Sequence, residues 1–443
     1  MVIQMNKIMA NLVVSMRIII LLTGLFVTNC LLGSDTLKVM HYNLLNYRNG
    51  TPQCDGSNND ANLKDGYLKS ILHFTKPDIF TCNELGSNLV NASRILDNAL
   101  NTDGINYYEQ AQFSNNGFSA ITNMLFYDKR KLTLSGQDAV KKDINNVDLV
   151  RVIDIYTLYF NTTAKPGGDT IFLKVIVAHL KAGSTNEDKT ERAKMTEALM
   201  EYLAKQSRRY NYLIAGDFNV QSQTETSFQN LVNYKTASVR FFDPADALGN
   251  WNDNSNYSNL HTQSTHGSSG NACFSAGGMD DRFDFILMSK EIKDREKKIS
   301  YIDKTYKALG NDGGRFNSDI NGNSNTSLSK TLLDALYGMS DHVPVIANFL
   351  IETGSLNHKS LPKSQFKLNS IFNASLELHN LNLANQTIHL QIVDLKGKSH
   401  IDENLTLDNE GSMKLSTENL KPGIYLLNLQ WKNNQSAYFK LIK

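Results

Sequence analysis

Eight polar residues stand where apolar runs begin or break: Asn43, Glu84, His179, Asp217, Asn219, Asp284, Asp341 and His342. Carboxylate and amide oxygens bind hard divalent cations, and a cation so held stabilises the charge that builds on a phosphoester as water attacks it. Glu84 is the first choice of metal ligand, with Asn43 and Asp341 supporting it. Asp217 and Asn219, two apart on one face of an extended segment, would orient the attacking water or assist proton transfer. Asp284 would fix the tautomer of His342 and raise its basicity, and His179 would donate to a phosphoryl oxygen. Singly, each residue reads equally as a turn, cap or edge residue. The consecutive Ser340, Asp341 and His342 can hardly form a serine hydrolase triad. Using both Asp341 and His342 in one site requires that the chain there is still a loop.

The elements that must position these residues follow from apolar spacing. Alternation predicts strands over 37–43, 78–84, 118–127, 147–160, 170–180 and 284–288, and further strands around 212–219 and 340–349. Helical spacing predicts helices over 61–75, 89–100 and 187–205. Asn43, Glu84, His179 and the Asp217/Asn219 pair end strands, whereas Asp284 and the Asp341/His342 pair begin them. Antiparallel neighbours bring the end of one strand beside the start of the next, so all eight side chains would gather at one rim of a mixed sheet. The pattern predicts α/β layers around antiparallel or mixed sheets.

A chain of 443 residues exceeds one core and predicts two or three domains. With 45 basic and 44 acidic residues it carries no global basicity that would advertise nucleic acid. The basic runs at 129–131, 141–142 and 208–209 read as solvated faces. Arg17, the apolar run 18–27 and the small residues Gly33 and Ser34 read as a signal peptide over 1–33, too short to span a bilayer comfortably. Cys30 lacks the small residue expected before a lipidated cysteine, which favours a soluble export substrate. Cys54, Cys82 and Cys273 then remain, enough for one internal disulfide, with Cys54–Cys82 a possible pair and free buried thiols the alternative. Residues 55–60 do not fit an EF-hand loop and read as a solvated turn. The segment 246–281, rich in Asn, Ser and Gly, reads as surface loop, with His261 and His266 as polar surface. Trp251 and Tyr257 in that loop read as ordinary surface aromatics, which could also serve to meet a membrane. A polar linker over 352–367 precedes short alternating runs within 368–443, read as a small β-sandwich.

The order Tyr42-Asn43, Asn83-Glu84, Ala178-His179-Leu180, Gly216-Asp217-Phe218-Asn219, Arg282-Phe283-Asp284-Phe285 and Ser340-Asp341-His342-Val343-Pro344 resembles the endonuclease/exonuclease/phosphatase superfamily. That group includes the deoxyribonuclease I family, abasic-site endonucleases, neutral sphingomyelinases and inositol polyphosphate 5-phosphatases. The resemblance covers roughly 35–351 within a catalytic domain at 34–351. It implies a four-layer α/β/β/α sandwich and phosphoester hydrolysis dependent on Mg2+ or Mn2+. Glu84 matches the metal-binding glutamate, Asn43 the amide beside it, Asp217 and Asn219 the pair around the nucleophile, and Asp284 with His342 the Asp-His pair. Asp341 matches the remaining acid near the metal and His179 the phosphate-contacting histidine. Asn83 stands where a glutamine often precedes the glutamate, and Arg151 and Arg192 are the candidates to reach the scissile phosphate.

The tail runs 392–398, 420–425 and 438–443 resemble the type A C-terminal sorting domain of the type IX secretion system, without its usual Pro-Asn-Pro opening. The expectation is a secreted or surface-attached monomer, delivered by that machinery, that cleaves DNA or RNA. A sphingomyelinase-like or small-phosphoester enzyme on the same site is the alternative, and a catalytically silent surface module is a third reading.

Overall fold

The computed structural model describes residues 34–352 apart from 116, 164–169 and 269–270, and residues 366–443 apart from 370–371, 373, 395–397 and 432–434. The signal peptide, most of the linker and part of the first tail run lie outside the described residues. The chain divides into two compact units, one of them Ser34–Thr353 and the other containing Gly354–Lys443.

In the larger unit, β1 (Ser34–Tyr47) leads to α1 (Ala61–Thr75), β2 (Ile79–Gly86) and α2 (Leu89–Ile95). Then come β3 (Tyr108–Gln110), β4 (Ile121–Asp128), β5 (Leu132–Lys142), β6 (Asp148–Phe160) and β7 (Phe172–His179). They are followed by α3 (Asn186–Ala204), β8 (Asn211–Asp217), α4 (Thr226–Val232) and β9 (Phe241–Phe242). The unit closes with β10 (Asp284–Ser289), α5 (Lys290–Lys293), β11 (Ile299–Tyr301), β12 (Lys307–Ala308), α6 (Lys330–Met339) and β13 (Val345–Glu352).

These strands form two sheets, one ordered β11-β13-β1-β2-β4-β3 with β12 on β13, the other β5-β6-β7-β8-β10-β9. Both are mixed, because β1–β2 and β7–β8 are parallel and the other pairs antiparallel. Alternation along the central strands builds the layers. Val175, Val177, Leu213, Ala215 and Ile286 join the core shared with the first sheet. Their neighbours Ile176, Ala178, Ile214, Phe285 and Leu287 pack with Met195 and Leu199 of α3. On the outer side of the first sheet, Leu68 and Ile71 of α1 and Leu336 of α6 are buried. The result is the expected four-layer α/β/β/α sandwich.

Local signals account for the helix ends. Asp60 caps α1 by accepting from Asn62 N and Leu63 N, and Lys76 closes it in the left-handed region at φ 46°. Thr185 and Asp188 form a capping box at α3. The predicted 89–100 helix continues past α2 as a π turn over Leu96–Leu100. Of the elements that were not anticipated, β5 and α6 are the longest. β5 is an edge strand exposed on much of both faces, so it lacks a clean alternation. α6 follows a long polar stretch in which no start signal stood out.

Three expectations are corrected. The disulfide joins Cys54 to Cys273 across 219 residues, while Cys82 is a buried free thiol within β2. Cys82 is held in the sheet interior, away from the loop that carries Cys54. The 246–281 segment is not simple surface: Trp251 is fully buried and meets Phe228 and Phe285 edge-on. Tyr257 is half-buried and donates to Leu248 O. His261 is buried with its two ring nitrogens 3.0 Å from Met279 O and 2.9 Å from Trp251 O, and His266 stacks on Tyr337.

The smaller unit comprises β14 (Lys367–Leu368), β15 (Ser375–His379), β16 (Thr387–Asp394), β17 (Ser399–Thr406), β18 (Ser412–Ser416), β19 (Ile424–Trp431) and β20 (Gln435–Ile442). Its sheets, β14-β15-β18 and β17-β16-β19-β20, enclose a core that includes Leu376, Leu378, Leu390, Ile392, Leu427 and Leu429. It is a small β-sandwich.

Candidate active site

The parallel pairing of β1 with β2 sets Asn43 beside Asn83, one residue before Glu84. The parallel pairing of β7 with β8 sets His179 beside Asp217, and antiparallel β10 brings Asp284 to the other side of Asp217. Glu84 and Asn219 take left-handed backbone, φ 57° and 51°, Glu84 at the register shift within β2 and Asn219 just beyond the end of β8. Asp341 and His342 precede β13 on a loop, which is what their joint use requires. All eight residues therefore gather, but where the rims of two stacked sheets meet and not along one.

Asn43 Nδ2 bridges the sheets, donating to Glu84 Oε1 at 3.1 Å and to Asp217 Oδ2 at 3.0 Å. His179 Nε2 lies 3.6 Å from Asp217 Oδ2 and 3.8 Å from Glu84 Oε1. His342 Nδ1 donates to Asp284 Oδ2 at 2.7 Å, leaving its Nε2 3.9 Å from Asp217 Oδ2 and 4.0 Å from Asp341 Oδ1. Asn219 N donates to Asp217 Oδ1 at 3.0 Å. Glu84, His179, Asp217, Asn219, Asp341 and His342 line one cleft of about 380 Å³.

Burial raises Asp217 to about 7 against the opposing pull of His342, with Asp284 and Glu84 adding to the rise. Burial disfavours charge on His342, yet Asp284, then Asp217 and Asp341, hold its proton well above the ordinary histidine range. His179 is pushed the other way, well down, by burial and then by Arg151, His342 and His41. Neutral His179 thus offers a lone pair or a neutral donor.

Several residues that shape the site carry no pattern in the sequence. Gln263 Nε2 lies 2.7 Å from His342 Nε2 and 3.3 Å from Asp341 Oδ2, and Ser275 N donates to Asp341 Oδ2 at 3.1 Å. Both belong to the Asn/Ser/Gly-rich loop, where nothing periodic marks them. His41 Nε2 faces Asp284 Oδ1 at 3.8 Å from within β1. Asn83, in the position of the usual glutamine, accepts from Asp217 N at 2.9 Å and donates to Asn123 Oδ1 at 2.7 Å. It extends the bridge between the sheets.

Arg151 and Arg192 part company. Arg151 Nη1 donates to Leu180 O at 2.8 Å, and its charge acts on Glu84, Asp217 and His179. Arg192 does not reach the cleft. Fully buried, it pairs with Glu225 at 2.7 Å and donates to Lys181 O at 2.9 Å and Gly183 O at 2.6 Å. It holds the loop that follows β7, which removes it as a substrate-binding candidate.

Asn123 also donates to Asp154 Oδ2 at 2.9 Å, and burial raises Asp154 to about 6 in spite of its bonds to Ser114 and Asn123. An unfolded aspartate releases its proton near 3.8, so the folded chain holds one proton more between that value and 6. Its contribution is full below pH 4 and is lost as pH rises through 6, about 3 kcal/mol in all. Urea unfolding across that range is expected to show Asp154→Asn losing less stability with rising pH than the parent chain does.

The site fits a divalent cation. Ligand atoms of Glu84, His179 and Asp217 lie within 4.8 Å of one another, and they combine two carboxylates with an imidazole kept neutral. Asp341 Oδ1 is buried without a hydrogen-bond partner. Among the described residues, Glu84, His179 and Asp217 are the His, Cys, Asp and Glu side chains gathered closely enough to hold a cation, while Asn43 and Asp341 stand beside them. Asn43 orients the two carboxylates through its amide nitrogen, and its Oδ1 accepts from Leu45 N at 2.9 Å.

Fold and site together define a two-sheet α/β sandwich with a cluster of carboxylates, imidazoles and amides at its rim. Residues 369–443 match the family model of the secretion system C-terminal sorting domain. No curated protein matches the chain. Among solved structures it is similar to the human Nocturnin catalytic domain with bound sulfate, at 14% identity and a TM-score of 0.45, covering 72% of this chain and 97% of that one. An endonuclease/exonuclease/phosphatase family protein from Bacteroides thetaiotaomicron is similar at 16% identity and a TM-score of 0.42, over 74% and 99% of the two chains. D. rerio TDP2 complexed with single-strand DNA product is similar at 12% identity and 0.42, over 71% and 99%.

Proposed function

We propose that this chain is an exported, divalent-metal-dependent phosphodiesterase that cleaves nucleic acid. The observation that carries the reading is the convergence of Glu84, His179 and Asp217 with the Asp284–His342 pair in one cleft. Glu84, Asp217 and His179 would hold Mg2+ or Mn2+. When bound, such a cation supplies Lewis-acid stabilisation of the phosphoryl oxygens.

The protein's own groups do the rest. Asp284 occupies Nδ1 of His342, so proton transfer by this histidine occurs at Nε2, on the cleft side. Asp217 beside it takes or returns a proton near neutral pH, and Asn219 orients the attacking water. His179, held neutral, donates to a phosphoryl oxygen if a ring nitrogen is left by the metal. Arg151 supplies positive potential behind His179.

Burial of Trp251 supports nucleic acid over a phospholipid, because the aromatic suited to entering a bilayer is committed to the core. The sorting-domain match supports export, with the type IX machinery as partner, to the cell surface or outside the cell; a signal peptide over 1–33 and a monomeric product belong to the same reading.

The test is nicking of supercoiled plasmid by the full-length chain with Mg2+, Mn2+ or chelator, over a salt series. Expected are metal-dependent nicking and binding that weakens linearly in log salt. A folded protein that leaves DNA and RNA intact yet hydrolyses sphingomyelin vesicles or sugar phosphates would overturn the substrate assignment.

A further inference from the structure

We propose that the Cys54–Cys273 disulfide is a positioning element of the cleft, so that the site is completed only when the chain reaches an oxidising compartment. The use of the site rests on the phosphodiesterase reading. The coupling itself rests on what the two cysteines hold.

Glu84 and Asp341 each accept one backbone N–H from an irregular segment, the distorted end of β1 for Glu84 and a loop for Asp341. Asn46 N donates to Glu84 Oε2 at 2.9 Å, and Ser275 N donates to Asp341 Oδ2 at 3.1 Å. The two donors lie far apart in sequence, and the disulfide joins the loop that follows β1 to the loop that carries Ser275. Cys273 itself lines the cleft. Cys54 and Cys273 form a small buried cluster with Leu45 and Phe274, and Asn46 Nδ2 lies 3.7 Å from Cys54 Sγ. Asn271 Nδ2 donates to Asn58 O at 3.0 Å across the same junction.

The turn carrying Asn46 needs such restraint. Leu45, Asn46 and Arg48 all lie in the left-handed region, at φ 43°, 48° and 57°, which is costly for residues other than glycine and persists only where the surroundings impose it. From below, Lys64 Nζ holds Leu44 O and Leu45 O, each at 2.8 Å. From the side, the disulfide is the one covalent tie. Without it, the Glu84 side of the cleft and the Asp341 side are linked through hydrogen bonds and packing alone.

The redox step balances simply. The Cys54 and Cys273 thiols give up two protons and two electrons to the disulfide of an exchange partner, whose sulfurs leave as two thiols. Such partners operate outside the cytoplasm, where a chain carrying a sorting domain is headed. A chain still in the reducing cytoplasm would carry all its catalytic groups but with loosened orientation.

The test compares oxidised full-length chain, the same chain reduced by a phosphine, and Cys54→Ser/Cys273→Ser. Amide hydrogen exchange is read at Asn46 and Ser275 against Val39 in β1, and Mn2+ affinity is read by calorimetry. Expected on reduction is exchange at Asn46 and Ser275 accelerated at least about tenfold with Val39 unchanged, and Mn2+ bound about 10–100-fold more weakly, the usual cost of losing an outer-shell partner. Unchanged exchange and affinity would overturn the proposal. So would a global loss of protection in both the reduced and the serine chains, since the bond would then serve stability alone. Neither readout needs turnover, so oxidised chain that binds Mn2+ but cleaves no nucleic acid would count against the functional reading and leave the positioning role standing.

Discussion

His342→Ala is expected to lower turnover on a phosphodiester by about 10²–10⁴-fold while the chain stays folded, the range general acid–base groups contribute. His342 is the one group that combines a fixed Nδ1 partner with an Nε2 on the cleft side, 3.9 Å from Asp217. Its removal also strips Asp284 of its only side-chain hydrogen bond among those described, leaving a buried carboxylate against His41. Asp284→Asn should therefore cost somewhat less than His342→Ala, because an amide still occupies the space but no longer enforces the tautomer. The double variant should lose little more than His342→Ala alone, since residues that act as a unit are not additive. Single-turnover cleavage with circular dichroism as the folding control checks all three. Wild-type turnover in His342→Ala would remove the Asp-His pair from the chemistry.

Asp243→Ala should produce the largest loss of stability, about 3–5 kcal/mol, the cost of leaving a buried charge unpaired. Arg282 is fully buried and bonds both oxygens of Asp243, at 2.8 and 2.9 Å. Its guanidinium also sits over the rings of Trp251, Phe285 and Tyr306. Once Asp243 is gone, no other carboxylate within salt-bridge reach of Arg282 is described. Because Tyr306 donates to Asp284 O at 3.2 Å and Arg282 stands two residues before Asp284, activity should fall together with stability. Arg282→Met with Asp243→Leu, an apolar pair of similar volume, should recover much of the loss. Thermal unfolding of the three chains decides the point: equal destabilisation by the single and double variants would mean that shape, and not charge, is what the pair contributes.

Much of the candidate site was legible because breaks in an apolar run announce themselves, although β1 continues past Asn43 to Tyr47 and β2 past Glu84 to Gly86. An apolar alternating run that breaks on Asn43, Glu84, His179 or Asp217 names both the element and the face its last residue takes, since the side-chain period in a strand is two. Helices α1 and α3 were legible for the same kind of reason, an apolar stripe bounded by Asp60 and Lys76 or by Thr185 and Lys205. The irregular segment 246–281 was opaque. It has no period, so nothing local distinguishes Gln263 and Ser275, which touch Asp341, from solvent-facing polar residues. Trp251 and His261 were misread there, because a lone aromatic or imidazole among Asn, Ser and Gly shows its burial only when Phe228, Phe285 and the Met279 carbonyl close on it.

By itself the sequence determined which residues could do chemistry and on which apolar runs they stand, because residue type and period are local properties. Tertiary structure decided the rest: that the eight meet between two sheets, that Asn43 bridges them, that Arg192 is locked to Glu225, and that Cys54 pairs with Cys273 instead of Cys82. Each of these depends on groups tens to hundreds of residues apart. Distance through the fold, burial and the charge of a neighbour have no counterpart in spacing along the chain.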